Sequence, residues 1–269
     1  MPTMAQVTAG DAGSDYLLAT LWYQRSQECR ANIETQFELA KLRLDQALKD
    51  RRWTAAPQEQ KGTFKHKPPA VIVDIDETLL DNTPFVGWLV DNGRYYNQAV
   101  WPDWDRWIQA GRAKALPGAT EFVAYALSKG VKVFYVSNRV NTQEEATRKN
   151  LKAAGFVVDE HEDTVLLKYE RLQWSSKKGE RRKVVAEKYR ILLLLGNDLE
   201  DFVDSARSDY QERDRLYESC RSFWGRTWIV LPCPVYGSWD EAAYDFDHSL
   251  SRPQIQNVMK EKLLKWDGK

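Results

Sequence analysis

The sequence predicts an α/β fold: a mostly parallel sheet with helices on both faces, plus a smaller helical flanking domain. Apolar runs typical of buried parallel strands alternate along the chain with helical stretches. The apolar runs lie near residues 70–75, 131–136, 190–195 and 227–231, and the helical stretches near 118–129, 142–154 and 179–188. Polar clusters follow the first three runs. Because ligands in such folds bind beyond the carboxyl ends of the strands, we expect a functional site there.

The chain has 269 residues, enough to bury a substantial core in one α/β unit. We expect residues 70–250 to form this core, flanked by an N-terminal helical segment over 1–69 and a C-terminal helical segment over 251–269. Helical spacing predicts one long amphipathic helix from Ser14 to Asp50, followed by a linker. The apolar positions that carry this prediction are Ile33, Phe37, Ala40, Leu44 and Ala47.

Two aspartates follow the first predicted strand. Residues 70–80 read Ala-Val-Ile-Val-Asp-Ile-Asp-Glu-Thr-Leu-Leu, which places Asp74 and Asp76 at the end of an apolar run. The first carboxylate can attack phosphorus and form an aspartyl-phosphate, while the second transfers a proton. The alternative is a helix cap or a turn, which rarely needs two carboxylates and a threonine after a fully apolar strand.

Three further segments have residue types that suit phosphoryl transfer. The second strand ends in Ser137-Asn138-Arg139, whose hydroxyl, amide and guanidinium groups can hold phosphate oxygens. Residues 175–182 can supply a lysine. The run 196–202, Gly-Asn-Asp-Leu-Glu-Asp-Phe, has a density of oxygen ligands that suits Mg²⁺. Each segment alone is typical of a cap or a solvated face, but their order behind successive strands favours one common site.

With these residues the chain resembles the haloacid dehalogenase-like phosphatases, and within them the class C acid phosphatases, the bacterial lipoprotein acid phosphatase and 5′-nucleotidase family. The resemblance covers most of the chain. Its motifs lie at residues 19–22, 74–82, 113–119, 134–139, 231–232, 236–239 and 266–269. It implies a haloacid dehalogenase-like, Rossmann-like sheet.

The resemblance also implies residue roles. Asp74 would be the nucleophile and Asp76 the general acid and base. Ser137 and Lys178 would bind phosphate, with Lys177 as the alternative lysine because the two are neighbours.

Mg²⁺ is the cofactor that the resemblance implies. Asp74, the backbone carbonyl of Asp76 and the position of Asn197 would hold it, with Asp201 supporting. The family usually reads Gly-Asp-Asn-Leu-x-Asp-Phe, whereas here Asn197 precedes Asp198. Either Asn197 ligates directly in a weaker site, or the loop shifts so that Asp198 does.

Residues 82–117 form an insertion dense in aromatic residues. These are Phe85, Trp88, Tyr95, Tyr96, Trp101, Trp104 and Trp107. Trp101, Trp104 and Trp107 are spaced by three residues, which is typical of a helix face packed on a core. The functional alternative is a lid that stacks a flat leaving group. The resemblance favours Trp104 for that contact, with Tyr236 opposite.

The charge balance excludes overall steering towards nucleic acid or anionic membrane, because 39 basic residues match 39 acidic ones. Three widely spaced cysteines argue against a zinc site and a fully paired disulfide framework. No apolar run is long enough to span a membrane, and no signal peptide is evident at Met1. The resemblance implies an exported protein, periplasmic, secreted or outer-membrane associated, whose leader was removed.

Together these features predict a magnesium-dependent phosphomonoesterase, most active at acidic pH, that forms an aspartyl-phosphate. Its expected substrates are nucleoside 5′-monophosphates and other small aromatic or sugar phosphates. The alternatives are a phosphotransferase with an alcohol acceptor and a non-catalytic phosphate-ligand-binding or surface protein. The resemblance also implies a homodimer.

Overall fold

The computed structural model describes residues 14–268. A five-stranded parallel sheet lies at the centre, and a two-stranded antiparallel ribbon lies beside it. The strands are β1 (Pro69–Val73), β2 (Leu80–Asp81), β3 (Lys114–Ala115), β4 (Lys132–Val140), β5 (Val165–Lys168), β6 (Arg190–Gly196) and β7 (Trp228–Val230). The sheet order is β5-β4-β1-β6-β7, and β2 pairs with β3 in the ribbon. β1 is therefore the central strand.

Helices cover both faces of the sheet. Within residues 14–268 they are α1 (Ser14–Arg25), α2 (Gln27–Lys49), α3 (Thr83–Asp91), α4 (Trp101–Ala110), α5 (Ala119–Ser128), α6 (Glu144–Ala153), α7 (Gly179–Lys188), α8 (Tyr210–Ser219), α9 (Ser238–Glu241) and α10 (Arg252–Lys262). Alternate residues of β1 enter different hydrophobic clusters. Val71 and Val73 pack with α2 and α5, whereas Ala70 and Ile72 pack with α7. This period of two confirms the predicted α/β class.

The N-terminal segment differs from the prediction of one long helix. The chain forms α1 and α2, with a break at Ser26, whose backbone is extended at φ −76° and ψ 136°. The Ser26 hydroxyl accepts a hydrogen bond from the Cys29 backbone N–H at 2.9 Å and so caps α2. The apolar positions predicted for the helix are buried on α2. Their spacing was informative, but it did not reveal a local cap upstream.

One strand of the sheet was absent from the prediction. β5 pairs in parallel with β4 and forms one edge of the sheet. It contains only four residues, of which Val165, Leu166 and Leu167 are buried. So short an apolar run shows no clear period in the sequence, and only its partner strand defines it.

The insertion after β1 forms α3 and α4, and the β2–β3 ribbon closes its base. At the other end of the chain, α10 stops at Lys262, and residues 263–268 form no regular element, so the predicted C-terminal helical segment is only partly helical. Among residues 14–268, no helix is both long and apolar enough to cross a lipid bilayer.

Candidate active site

Asp74 lies directly beyond the end of the central strand. Its backbone N–H donates to the Leu195 carbonyl at 2.9 Å, which continues the pairing of β1 with β6. Its carboxylate accepts two side-chain hydrogen bonds, from Lys178 Nζ at 2.5 Å and from Thr78 Oγ1 at 3.0 Å. Burial raises the pKa of Asp74 to about 7, while the neighbouring lysine acts to lower it. The sheet thus presents a buried, oriented carboxylate at its carboxyl edge.

Lys178 joins three parts of the site. It precedes α7 and is 3% exposed. Besides Asp74, its ammonium contacts Asp201 Oδ1 at 2.7 Å and donates to the Val136 carbonyl at 2.7 Å. Burial alone would lower its pKa, but Asp201 and Asp74 together raise it. Lys177 is exposed, so of the two neighbouring lysines the structure brings Lys178 to the aspartates.

Asp76 is held by side chains from two other segments. Arg139 donates to it through Nε and Nη2, the shorter contact being 2.7 Å. Ser137 Oγ lies 3.3 Å from Oδ2, and Asn82 Nδ2 donates to Oδ1 at 2.8 Å. We predicted Arg139 as a phosphate contact, but the structure pairs its buried guanidinium with Asp76. The paired carboxylate faces the same cavity as Asp74.

Sequence reasoning missed Arg181, which organises the end of β4. It is fully buried, and it donates to the Ser137 carbonyl at 2.5 Å and to Asn138 Oδ1 at 2.6 Å. A third bond, at 3.0 Å, reaches the Ser175 carbonyl. Burial lowers its pKa to about 10. Asn138 is exposed at the cavity wall, with its oxygen already engaged. The only signal in the sequence was the basic run, where Arg181 looks like a solvated residue.

In the loop after β6, the side chains of Asn197, Asp198 and Asp201 each make different contacts. Asp201 Oδ2 accepts the backbone N–H groups of Asn197 and Asp198 at 2.9 and 3.0 Å. Gly196 leaves room for this carboxylate, because a Cβ there would lie 2.2 Å from Asp201 Oδ2. The Asp198 carboxylate accepts hydrogen bonds from the Glu200 backbone and from both the backbone and the hydroxyl of Ser238. Asp198 therefore ties the loop to α9.

Asn197 instead faces the nucleophile. Thr78 Oγ1 lies 3.0 Å from Asp74 Oδ2 and 3.2 Å from Asn197 Oδ1, so one hydroxyl bridges the two oxygens. Carboxylate and amide oxygens in such proximity fit a hard, oxygen-liganded cation. Within residues 14–268 no cluster of three or more His, Cys, Asp and Glu side chains is arranged to hold a metal ion. Asn197 supplies an amide oxygen rather than one of these side chains, and with the Asp74 carboxylate it forms a donor set that fits Mg²⁺.

A cavity of about 550 Å³ opens above these residues. Besides the aspartates, Ser137 and Lys178, it is lined by the aromatic side chains Tyr16, Tyr96, Trp101, Trp104, Tyr236 and Tyr244. The rings of Tyr96 and Tyr236 are 4.7 Å apart. Trp107 does not line the cavity; its indole Nε1 donates to Asn82 Oδ1 at 2.8 Å. Each step of three residues turns an α-helix by 300° rather than a full turn. The two steps from Trp101 to Trp107 therefore rotate the Trp107 side chain away from that of Trp101.

The far wall of the cavity comes from the C-terminal part of the chain. Asp240, Glu241, Tyr244, His248 and Arg252 all line it. The prediction placed no site residue there, because nothing local in that segment resembles a binding motif. Only the packing of the segment against α1, where Arg252 pairs with Asp15, brings it to the cavity.

The solved structures provide a close comparison. The chain is similar to the class C acid phosphatase from Bacillus anthracis, with a TM-score of 0.83 and 32% sequence identity over 96% of this chain and 100% of that one. A second structure of the Bacillus anthracis enzyme, with tungstate bound, matches equally well, again with a TM-score of 0.83 and 32% identity.

Plant proteins match a shorter part of the chain. Acid phosphatase 1 from Solanum lycopersicum is 30% identical over 149 residues, which cover 51% of this chain and 53% of the relative. The stem 31 kDa glycoprotein from Glycine max is 29% identical over 150 residues, 54% of this chain and 56% of the relative. The chain thus spans about half the length of these curated relatives.

The family pattern extends much further. Residues 3–239 match the pattern of the HAD superfamily, subfamily IIIB (Acid phosphatase). The match includes both aspartates after β1, the end of β4, Lys178 and the loop after β6. Because it covers most of the chain and agrees with the fold, the protein belongs to the HAD superfamily, subfamily IIIB (Acid phosphatase).

Proposed function

We propose that this protein is a magnesium-dependent acid phosphatase that hydrolyses phosphomonoesters through an aspartyl-phosphate on Asp74. One observation supports the proposal most. Asp74 stands at the end of the central strand, hydrogen-bonded to a buried lysine, and Asp76 lines the same cavity. The related Bacillus anthracis enzyme was solved with tungstate, an oxyanion with the shape of phosphate. An oxyanion above Asp74 would contact Ser137, Asn138 and Lys178.

In the proposed first step, an Asp74 oxygen attacks the phosphorus in line. The bond between phosphorus and the ester oxygen breaks, and Asp76 donates a proton to that oxygen, which leaves as the alcohol. In the second step, the Asp76 carboxylate takes a proton from water. The water oxygen then bonds to phosphorus while the bond to Asp74 breaks, which releases phosphate and restores the enzyme.

Several groups would stabilise the negative charge of the phosphoryl oxygens. Lys178 and Ser137 lie beside the aspartates and supply a cation and a hydroxyl donor. Asp74, the Asp76 backbone carbonyl and Asn197 would hold Mg²⁺, with Asp201 fixing the loop that carries Asn197. When bound, this ion supplies positive charge at the phosphoryl oxygens. Asp198 is the less suitable ligand, since its carboxylate is bonded to Ser238.

The leaving-group side of the cavity supports a flat substrate. Trp104 and Tyr236 line this part together with Tyr96 and Trp101. Aromatic walls can stack a nucleobase or a phenyl ring. We therefore propose nucleoside 5′-monophosphates and aryl phosphates as substrates.

Turnover with a phosphomonoester tests the proposal directly. Wild-type protein with Mg²⁺ should release phosphate at acidic pH, and Asp74→Asn should lower the rate by several orders of magnitude, because an amide cannot act as the nucleophile. A tenth of wild-type activity in purified Asp74→Asn protein would overturn the aspartyl-phosphate mechanism. Circular dichroism of the variant should match wild type, since the amide is nearly isosteric with the carboxylate.

Two other functions use the same scaffold. A phosphotransferase would pass the phosphoryl group from Asp74 to an alcohol instead of water, so an added alcohol would yield a new phosphate ester. A non-catalytic phosphate-binding protein would bind tungstate without any turnover. Measuring free phosphate with and without an alcohol acceptor separates the three.

Export and homodimer formation are further proposals. Both derive from the resemblance to exported class C acid phosphatases. Cell fractionation tests the periplasmic, secreted or outer-membrane location, and light scattering of purified protein tests the dimer.

A further inference from the structure

A chain of hydrogen bonds runs from the aromatic insertion to Asp76. The Trp107 indole Nε1 donates to Asn82 Oδ1 at 2.8 Å, and Asn82 Nδ2 donates to Asp76 Oδ1 at 2.8 Å. Asn82 is fully buried, whereas its partners Trp107 and Asp76 are partly exposed. Its backbone N–H also donates to Glu77 Oε1 at 2.6 Å, which fixes the residue from the other side.

The direction of these bonds sets the orientation of the amide. The indole N–H is only a donor, so it must meet the oxygen of the Asn82 amide. The amide nitrogen is then directed to Asp76, where a carboxylate can only accept. Without the indole, the amide could flip and present its oxygen to the carboxylate, which would repel it. Trp107 and Asp76 therefore require the same orientation of the Asn82 amide, and the indole fixes the amide from the side opposite the carboxylate.

We propose that Trp107 and Asn82 are positioning residues that hold the Asp76 carboxylate for proton transfer to the leaving group. The inference rests on the proposed phosphatase function. Arg139 and Ser137 hold Asp76 from the β4 side, and Asn82 holds it from the insertion side. These three contacts, from two sides, together determine where the proton is delivered.

The same arrangement links leaving-group binding to proton transfer. Trp104 and Trp107 are one helical turn apart on α4, the first lining the cavity and the second contacting Asn82. Both pack against the cluster of Phe85, Leu89 and Val100. A flat leaving group that contacts Trp104 therefore contacts α4, the helix whose Trp107 orients Asn82. Aryl and nucleoside phosphates should benefit from this link more than small aliphatic phosphates.

The test compares two indole N–H groups that each make a hydrogen bond of the same length. Trp107→Phe removes the donor to Asn82, and Trp53→Phe removes a donor that meets the Leu192 carbonyl at 2.8 Å, away from the cavity. Each variant is assayed with phenyl phosphate, whose leaving group needs a proton, and with 2,4-dinitrophenyl phosphate, whose leaving group does not. Thermal melting follows stability in parallel.

Trp107→Phe should lower kcat/KM for phenyl phosphate by roughly 10- to 100-fold, as expected for a misplaced proton donor, because kcat/KM reports the steps up to departure of the leaving group. The kcat/KM for 2,4-dinitrophenyl phosphate should change less than about threefold. The kcat values also include the second step, in which Asp76 takes a proton from water, so they are expected to fall for both substrates. Trp53→Phe should keep both kcat/KM values near wild type even where it lowers the melting temperature. Equal losses of kcat/KM on both substrates with Trp107→Phe would overturn the positioning role.

A second variant keeps the proposal testable if Trp107→Phe folds poorly. Asn82→Ser retains a small polar group but removes the amide that reaches Asp76, and the same dependence on the leaving group is expected. If neither variant discriminates between the two substrates, the inference is wrong. Absence of turnover by wild-type protein with either substrate would instead refute the proposed function itself, so the two failures are distinguishable.

Discussion

At the scale of single residues, Asn197 and Asp198 differ in what their side chains contact. The Asn197 oxygen shares the Thr78 hydroxyl with Asp74, whereas the Asp198 carboxylate accepts bonds from Glu200 and Ser238. If the Asp198 carboxylate moved to bind a metal ion, it would lose its three hydrogen bonds, which disfavours Asp198 as a ligand. The exchanged order of the two residues therefore leaves an uncharged oxygen on the side of the nucleophile.

Asp198→Ala should destabilise the fold without changing the affinity for Mg²⁺. It removes the acceptor of the Ser238 backbone N–H and of the Glu200 N–H, so we expect a loss of ~1–3 kcal/mol in the free energy of unfolding. Chemical denaturation measures the stability, and calorimetric titration with Mg²⁺ measures the affinity. A large loss of Mg²⁺ affinity would make Asp198 the ligand.

Asn197→Asp should tighten Mg²⁺ binding, because it adds a negative charge at the same position. The expected result is a lower half-saturating Mg²⁺ concentration in both calorimetry and activity assays. Asn197→Ala serves as the control and should weaken binding. A titration of Asn197→Asp that matches wild type would contradict the assignment of Asn197 as a ligand.

The site residues that could be predicted belong to local motifs, whereas the contacts that were missed join residues far apart in the sequence. Asp74 and Asp76 can be predicted because both the apolar strand and the carboxylates are local to one segment. The contact of Trp107 with Asn82 joins residues 25 positions apart, and that of Arg181 with Ser137 joins residues 44 positions apart. Such pairs depend on how the insertion and α7 pack, which no local pattern encodes.

At the scale of elements, the break between α1 and α2 depends on one side chain. Ser26→Ala removes the hydroxyl that caps α2, so we expect a loss of ~0.5–2 kcal/mol in the free energy of unfolding. Thr35→Ala, an exposed position within the same helix, is the matched control and should cost little or nothing. Urea denaturation of both variants measures the difference. Equal stability losses would show that the capping bond is not what matters at Ser26.

The aromatic wall of the cavity, which α4 and the segment before α9 provide, leads to a prediction about specificity. Trp104→Ala or Tyr236→Ala should raise KM for a nucleoside 5′-monophosphate by ~5- to 100-fold, the effect of one lost stacking contact. KM for a small aliphatic phosphate should hardly change. Steady-state kinetics with the two substrates measures this. An equal increase in KM for both substrates would indicate that these side chains only pack against the core.

The parallel strands were easier to predict than the helix ends. The three central strands each contain an uninterrupted apolar run because helices cover both sheet faces, so β1, β4 and β6 stand out in the sequence. β5 is short and lies at the edge, and the α1–α2 break depends on a single polar contact. Both features depend on neighbours rather than on periodicity.

At the scale of the whole molecule, several partly buried carboxyl groups make the fold more stable under acidic conditions. Burial raises the pKa of Glu170 and of Glu200 to about 7, and that of Asp240 to about 6. Between the ordinary pKa of these groups and the raised values, the folded protein binds more protons than the unfolded chain. The free energy of unfolding therefore falls as pH rises through this range.

The metal-free protein should accordingly melt at a higher temperature at pH ~5 than at pH ~7.5. The double variant Glu200→Gln with Asp240→Asn should show a smaller difference, because two of the contributing groups no longer titrate. Scanning calorimetry across this range measures both proteins. A melting temperature of wild type that rises towards neutral pH would contradict the expectation.

The boundary of the family pattern at residue 239 has an evolutionary consequence. The chemistry-bearing residues lie before that boundary, while Asp240, Tyr244 and Arg252 of the far cavity wall lie after it. Substitutions in this wall can accumulate without disturbing the aspartates or the aromatic side chains Trp104 and Tyr236, which lie before the boundary. Grafting the segment that follows residue 239 from one subfamily protein onto another should therefore change which substituents on the leaving group are accepted, while stacking and the reaction itself are kept.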